Sequence, residues 1–325
     1  MKAVAVIPCW GAGYVDRLLR YTIPSLRSPG NLPVLAERFE AFRTIIYTKG
    51  SEAAQIAKGL PDDLPFEVTV LDDATFGGHS GTVMKGLFQR GFDLAWSEGA
   101  AFVPICADSV YADGLYATAA RMLLDEGHAA VLTQGAAADV SLIGPLLDDF
   151  SRSGVLDLTT RELIGPFFRC GGRLPTWPGT RKYPAQICWY YGDPTISRGA
   201  VMRCCHQYAV MIKPDRHAIM AYSHDNDLTE LVIDSYDRVG FITDSDQGFF
   251  FGLAEPGNLC LADAEPPGDG SLDAFCRQWM SPWKARYLEQ KIIWHETDLT
   301  GQESSAIAAS DVVIDEILTA YRSTR

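Results

Sequence analysis

No stretch of this sequence comes near the roughly 20 consecutive apolar residues that a helix needs to cross a bilayer. Met1-Lys2 runs at once into Ala3-Val-Ala-Val-Ile7, too short for the core of a secretory signal and followed by no cleavage region. The expectation is a protein without an integral membrane segment, in the cytoplasm. Positive charge is also scarce, since 28 Lys and Arg stand against 41 Asp and Glu, for a formal net charge of −13. Nucleic acids and anionic membrane surfaces attract clustered Lys and Arg, so neither is an expected partner. Lys49, Lys85, Arg198, Arg203 and Lys213 are scattered, and any anion site has to be assembled by folding. The eight cysteines show no paired zinc-ligand spacing and mostly sit in apolar runs, where reduced thiols pack as small hydrophobes.

What the sequence does have is a core, with 47% apolar and 21% charged residues over 325 positions. The first 135 residues alternate short β-type runs, Ala3–Pro8, Thr44–Tyr47, Phe66–Leu71, Ala101–Cys106 and Ala129–Thr133, with helical stretches over about 14–27, 51–59, 80–98 and 114–126. That alternation predicts an α/β fold with a mostly parallel, Rossmann-like sheet sandwiched by helices. Residues 136–270 read as a second portion, first helical, then irregular over 170–200, then strand-like at 208–213, 217–222, 230–234 and 239–243. Trp177, Tyr183, Trp189, Tyr190 and Tyr191 mark the irregular stretch as an ordered loop, because free linkers carry few aromatics. Residues 271–325 read as a C-terminal segment of two amphipathic helices, 271–294 and 303–322, which gives the later chain a mixed α+β character.

In an open parallel sheet the ligand lies beyond the carboxyl ends of the strands, and there the chain places Trp10-Gly-Ala-Gly13, Thr48-Lys49-Gly50, Asp72-Asp73, Asp108 and Gln134-Gly135. Trp10-Gly-Ala-Gly13 lacks the third glycine of a dinucleotide fingerprint, Asp16 standing in its place, which argues against a dehydrogenase. It leaves an S-adenosylmethionine-dependent methyltransferase as one alternative. Thr75-Phe-Gly77-Gly78-His-Ser-Gly81-Thr-Val-Met-Lys85-Gly86 lacks the Lys-Ser/Thr ending of a phosphate loop. It is either a nucleotide-binding turn into a helix or a plain connection.

Asp108 follows the fourth run, in Cys106-Ala-Asp108-Ser-Val-Tyr-Ala-Asp113-Gly114. A carboxylate at the end of a buried strand is costly unless it is hydrogen-bonded or meets a cation. Asp108 is therefore either a turn cap or the ligand of a hard divalent ion, and Asp113 a helix cap or part of the same site. His206, just before an apolar strand, is a metal ligand or a satisfied structural histidine. Asp244-Ser-Asp246 has the spacing of a metal-binding pair and also of an ordinary surface turn.

The order of these parts resembles the nucleotide-diphospho-sugar transferases, the glycosyltransferases of the A-type fold. The resemblance rests on Val68-Thr-Val-Leu-Asp-Asp73, on Gly77-Gly-His-Ser-Gly81 with its helix, and on Phe102-Val-Pro-Ile-Cys-Ala-Asp108, and it covers roughly residues 1–135. It implies a nucleotide-sugar donor lying against Pro8, Trp10, Gly11, Thr48, Gly77, Gly78, Gly81 and Lys85. Asp108 would then touch the diphosphate directly or through Mg²⁺ or Mn²⁺, with His206 as a further metal ligand. Asp244 or Asp246 would be the base for the hydroxyl of a carbohydrate or small-molecule acceptor. The chain departs from the family's Asp-x-Asp, which reads Cys106-Ala-Asp108, and one carboxylate is a poorer cation site than two. Two more alternatives therefore stand beside a glycosyltransferase, a non-catalytic protein that binds a sugar nucleotide or a partner, and a nucleotidyltransferase.

Overall fold

The first apolar run forms the middle of the molecule. In the computed structural model, which describes residues 1–170, 186–193, 197–221, 228–255 and 271–325, Lys2–Pro8 is strand β1, buried everywhere after Lys2. A strand covered on both faces needs a continuous apolar run, and Ala-Val-Ala-Val-Ile supplies one. Ala3, Ala5 and Ile7 pack into one apolar layer and Val4 and Val6 into the other, as the two-residue period of a strand dictates.

The other strands are β2 (Ala41–Lys49), β3 (Phe66–Leu71), β4 (Ala101–Pro104), β5 (Ser109–Tyr111), β6 (Ala130–Thr133), β7 (Ala136–Asp139), β8 (Gln186–Asp193), β9 (Ser197–Cys204), β10 (Tyr208–Ile212), β11 (Val239–Phe241), β12 (Phe250–Ala254) and β13 (Ile292–His295). The main sheet has seven strands in the order β11-β6-β10-β4-β1-β2-β3. All run parallel except β10, which is antiparallel to both β4 and β6. Two three-stranded sheets, β5-β12-β7 and β13-β9-β8, stand beside it.

The helices are α1 (Ala12–Arg17), α2 (Ile23–Leu26), α3 (Leu32–Arg38), α4 (Gly50–Gly59), α5 (Ser80–Ser97), α6 (Leu115–Leu124), α7 (Val140–Phe150), α8 (Thr160–Arg169), α9 (Leu228–Val232), α10 (Leu272–Trp279), α11 (Pro282–Glu289) and α12 (Glu303–Ser323). Side chains of α1, α3 and α6 fill one face of the main sheet, and those of α5 and α9 the other. This is the expected α/β architecture, a mostly parallel sheet between helices followed by a mixed portion. None of the described helices is long and apolar enough to cross a membrane.

The later chain departs from the sequence reading in three places. Of the stretch read as an irregular loop, residues 186–193 and 197–200 belong to the β8–β9 pair, paired from Gln186↔Cys204 to Asp193↔Ser197, while Trp177 and Tyr183 lie outside the described residues. Residues 217–221 form no strand, and Leu228–Val232 is a helix because its apolar residues Leu228 and Val232 are spaced four apart and both buried. The helix expected over 271–294 is broken at Ser281-Pro282, where Ser281 caps α11 by accepting from the Lys284 amide, and it ends in β13, whose Ile-Ile-Trp is β-branched and aromatic. The main sheet also takes β10 and β11 from beyond residue 135, so the first half is completed by later chain.

Candidate functional site

The peptide after β4 is tied down at three successive residues. The Cys106 amide donates to the Tyr111 hydroxyl at 3.1 Å, the Thr22 hydroxyl donates to the Ala107 carbonyl at 2.9 Å, and the Leu253 amide donates to the Asp108 carbonyl at 2.6 Å. The backbone is thereby fixed by β5, by the turn of π-helix at Leu18–Thr22 and by β12. The Asp108 side chain is half-buried at the cleft wall. Burial pushes its pKa up from 3.8 to about 6, opposed by its own backbone amide and by the charge of Arg17.

Asp108 opens on a cleft of about 450 Å³ lined by Gly11, Ala12, Gly13, Tyr14, Arg17, Leu253, Ala254 and Glu255. Gly11 turns the chain from β1 into α1 at φ 89°, a conformation costly for any residue with a Cβ. Its amide donates to Glu52 Oε1 at 2.8 Å, and the Thr48 hydroxyl reaches Glu52 Oε2 at 3.5 Å, so the ends of β1 and β2 are joined through one carboxylate on α4. Arg17 is nearly buried, lies 5.3 Å from the centre of the Tyr14 ring and is ion-paired with Glu255. Tyr14 itself is 46% exposed. The cleft is thus an apolar and glycine-walled recess holding one desolvated carboxylate and one guanidinium.

The residues expected at the site are placed as follows. Gly11 and Asp108 line the same cleft. Pro8 is buried at the end of β1, and Trp10 packs on Phe76 at 5.7 Å, with the Lys49 ammonium 5.6 Å from the same Phe76 ring. Thr48 is fully buried and acts on the strand end through Glu52. Gly77, Gly78 and Gly81 are exposed beyond β3, two strands from β1, and the Gly81 amide is taken by His79, the cap of α5. Lys85 sits half-buried on that helix. His206 lies where the chain enters β10, and its ring meets Trp279 edge-on at 5.8 Å.

Asp244 and Asp246 do not line the cleft. Asp244 caps the 3₁₀ turn before β12 and Asp246 lies within it, whereas Asp108 pairs with the far end of that strand, and five residues at about 3.3 Å each separate the two ends. Asp244 Oδ1 lies 2.9 Å from His295 Nε2. Asp246 is held by Arg161 through Nε at 2.9 Å and Nη2 at 2.6 Å. Both acids are shifted down, Asp244 chiefly by the His295 hydrogen bond and Asp246 chiefly by Arg161, and His295 is shifted up chiefly by Asp244.

Tyr14, Arg17 and Glu255 were not singled out in the sequence. Glu255 carried a signal, since Phe249-Phe-Phe-Gly-Leu-Ala254 is a strand-like run ending in an acid, the same arrangement that marked Asp108. Ile292-Ile-Trp-His295 carried a similar one. Arg17 had none beyond its place in the first helix.

No protein-family model and no curated protein matches the sequence. Solved structures are similar to it. S. aureus TarS 1-349 in complex with UDP-GlcNAc aligns over 99% of this chain and 73% of its own, at 12% identity and TM-score 0.36. A second TarS structure aligns over 42% of this chain at 16% identity and TM-score 0.30, and this chain spans 22% of its length. A Bacillus anthracis protein described as a glucose-1-phosphate thymidylyltransferase, in complex with a sucrose, aligns over 42% of this chain and 55% of its own, at 12% identity and TM-score 0.24. The element order from β1 through the glycine turn and α5 to the acid-ended β4 is the one expected from the sequence.

Proposed function

We propose that the protein is a glycosyltransferase that takes a sugar from a nucleotide-diphosphate donor bound in the Asp108 cleft. The observation that carries this reading is the desolvated Asp108 carboxyl beside Arg17 at the carboxyl ends of β1 and β4, the edge where open parallel sheets hold ligands. A half-buried carboxylate with a guanidinium near it is suited to an anionic ligand that arrives with its own cation. One hard oxygen ligand on the protein fits Mg²⁺ or Mn²⁺, which take the rest of their shell from phosphate oxygens and water. Such an ion would neutralise charge on the departing diphosphate.

In this reading Arg17 leaves Glu255 and turns to the diphosphate, where it stabilises the charge that grows as the sugar bond breaks. Glu255, freed at the cleft mouth, takes the proton of the acceptor hydroxyl. Asp244 and Asp246 are assigned another role, because each is engaged elsewhere. The donor sugar is bound toward Leu253–Glu255 and the base toward Trp10 and Phe76.

The test is a thermal-shift screen with UDP, GDP, ADP and CDP, each with and without Mn²⁺, followed by hydrolysis of UDP-GlcNAc and GDP-mannose by wild type and by Asp108→Ala. Stabilisation by a nucleoside diphosphate with turnover lost in the variant is the expected result. Binding without turnover points to a non-catalytic binder, stabilisation by S-adenosylmethionine to a methyltransferase, and turnover of a nucleoside triphosphate with a sugar phosphate to a nucleotidyltransferase. If no nucleoside diphosphate shifts the melting temperature at millimolar concentration, the reading fails.

A further inference from the structure

We propose that Asp244, Asp246 and His295 form a second, separate site for a divalent transition ion, with Zn²⁺ the best fit, that fastens β13 to the end of β11. One ligand atom from each lies within 4.8 Å of the others. His295 Nε2 stands 2.9 Å from Asp244 Oδ1 and 4.0 Å from Asp246 Oδ2. Ligands about 2.0–2.2 Å from a tetrahedral ion are themselves a little over 3 Å apart, so side-chain shifts on the order of 1 Å would close the set.

His295 is oriented by a group outside the cluster. The His295 side chain is only 5% exposed, and its Nδ1 lies 2.7 Å from the Thr297 carbonyl oxygen. A carbonyl only accepts, so Nδ1 carries the proton. Nε2 then faces Asp244 Oδ1 at 2.9 Å, toward the other ligand atoms. An Nδ1–H bonded to a backbone carbonyl is also the arrangement that orients a metal-bound histidine, and Arg161 would fix Asp246 in the same way.

Asp244, Asp246 and Asp298 bring three carboxylates to this corner and Arg161 one guanidinium, a surplus of anionic groups that a divalent ion would offset. The imidazole donor favours Zn²⁺ over Mg²⁺ or Ca²⁺, which prefer oxygen throughout. The site joins the 3₁₀ turn after β11 of the main sheet to β13 of the β13-β9-β8 sheet, already linked by the Ile293 amide bonding to the Thr243 carbonyl at 2.8 Å. It stands independently of the donor reading.

The experiment uses the full chain, treated with EDTA, desalted and titrated with Zn²⁺, Mn²⁺ and Mg²⁺ in the absence of nucleotide. We expect one Zn²⁺ retained per chain and a raised melting temperature, with Mg²⁺ without effect. Affinity should fall more than a hundredfold in His295→Ala and in Asp244→Asn and stay unchanged in Asp108→Ala. X-ray absorption on the Zn²⁺-loaded wild type, which needs no variant to fold, should show nitrogen and oxygen ligands with an imidazole signature. The proposal is overturned if wild type retains no Zn²⁺, if His295→Ala binds as well as wild type, or if sulfur ligands appear, which would place the ion on the cysteines. Loss of nucleotide binding alone would leave each of these readouts intact.

Discussion

The Leu253 amide and the Asp108 carbonyl are joined at 2.6 Å, so the acid that ends the fourth strand is held in place by a strand that enters the chain more than a hundred residues later. The Tyr111 hydroxyl does the same work one step earlier by accepting the Cys106 amide at 3.1 Å. Tyr111→Phe would leave that part-buried amide without its partner, a loss of about 1–3 kcal/mol. We expect a lowered urea midpoint together with weaker nucleoside diphosphate binding. An unchanged affinity would mean that the strand end does not need this bond to present Asp108.

Asp108 should lower the stability of the free protein at neutral pH. Its folded pKa is raised from 3.8 to about 6 by burial, so the folded state binds the proton more tightly than the unfolded chain. Its stabilising contribution is complete below the unfolded pKa and is lost as pH rises through about 6. Asp108→Asn removes the charge without changing the shape, and is expected to be more stable than wild type above pH 6, by up to about 3 kcal/mol, and nearly equal to it near pH 4. Denaturant melts at the two pH values decide this. The same variant should bind nucleoside diphosphate and Mn²⁺ poorly, a cost in function set against a gain in stability.

Arg17 and Glu255 form an ion pair across the cleft and should separate in their effects. Arg17→Ala removes a charged donor, worth about 1.5–3 kcal/mol to a bound diphosphate, and is expected to weaken nucleotide affinity at least tenfold. Glu255→Gln keeps the shape and removes the base, so turnover should fall by about 10²–10⁴ while nucleotide affinity holds. Calorimetry beside initial rates reads the two quantities apart. A Glu255→Gln enzyme with full turnover would return the base to another residue.

The main sheet was legible because its first strands are buried on both faces and read as plain apolar runs, Ala3–Pro8 most clearly. The place of Asp108 was legible for the same reason, since an acid directly after such a run has to lie at the sheet edge. Its companions were not, because Leu253 and Glu255 meet Asp108 only through tertiary pairing of β12 with β5, and Arg17 only through the placing of α1 at the end of β1. Asp244 and Asp246 were found as a pair but could not be located, since no local pattern says which end of β12 faces the cleft. His295 was hidden by a helical reading of 271–294 that the strand-forming Ile-Ile-Trp run overrode.

Arg203 offers the clearest test of how the C-terminal helices are attached. It lies on β9 with 1% of its surface exposed, and its donors go to the Ser310 hydroxyl at 3.0 Å, to the carbonyls of Leu288 at 3.2 Å and Glu289 at 2.9 Å, and to Asp311. The two carbonyls are the last of α11, which a cation at that end satisfies, and Ser310 and Asp311 belong to α12. One guanidinium therefore binds a strand to two helices. Asp311 is 46% exposed and stays hydrated when the arginine is removed, so the expected loss in Arg203→Met comes mainly from the buried acceptors. At about 0.5–1.5 kcal/mol for each of three such bonds, that loss is about 1.5–4.5 kcal/mol. Asp311→Ala should cost about 1 kcal/mol or less, as exposed partners do. Arg203→Lys should recover little, because an ammonium on a flexible stem cannot reach acceptors spread around a planar fork. Urea melts of the three variants test the order Met, then Lys, then the Asp311 change, and equal losses for Arg203→Met and Asp311→Ala would show that the ion pair, rather than the carbonyl and hydroxyl bonds, fastens the helices.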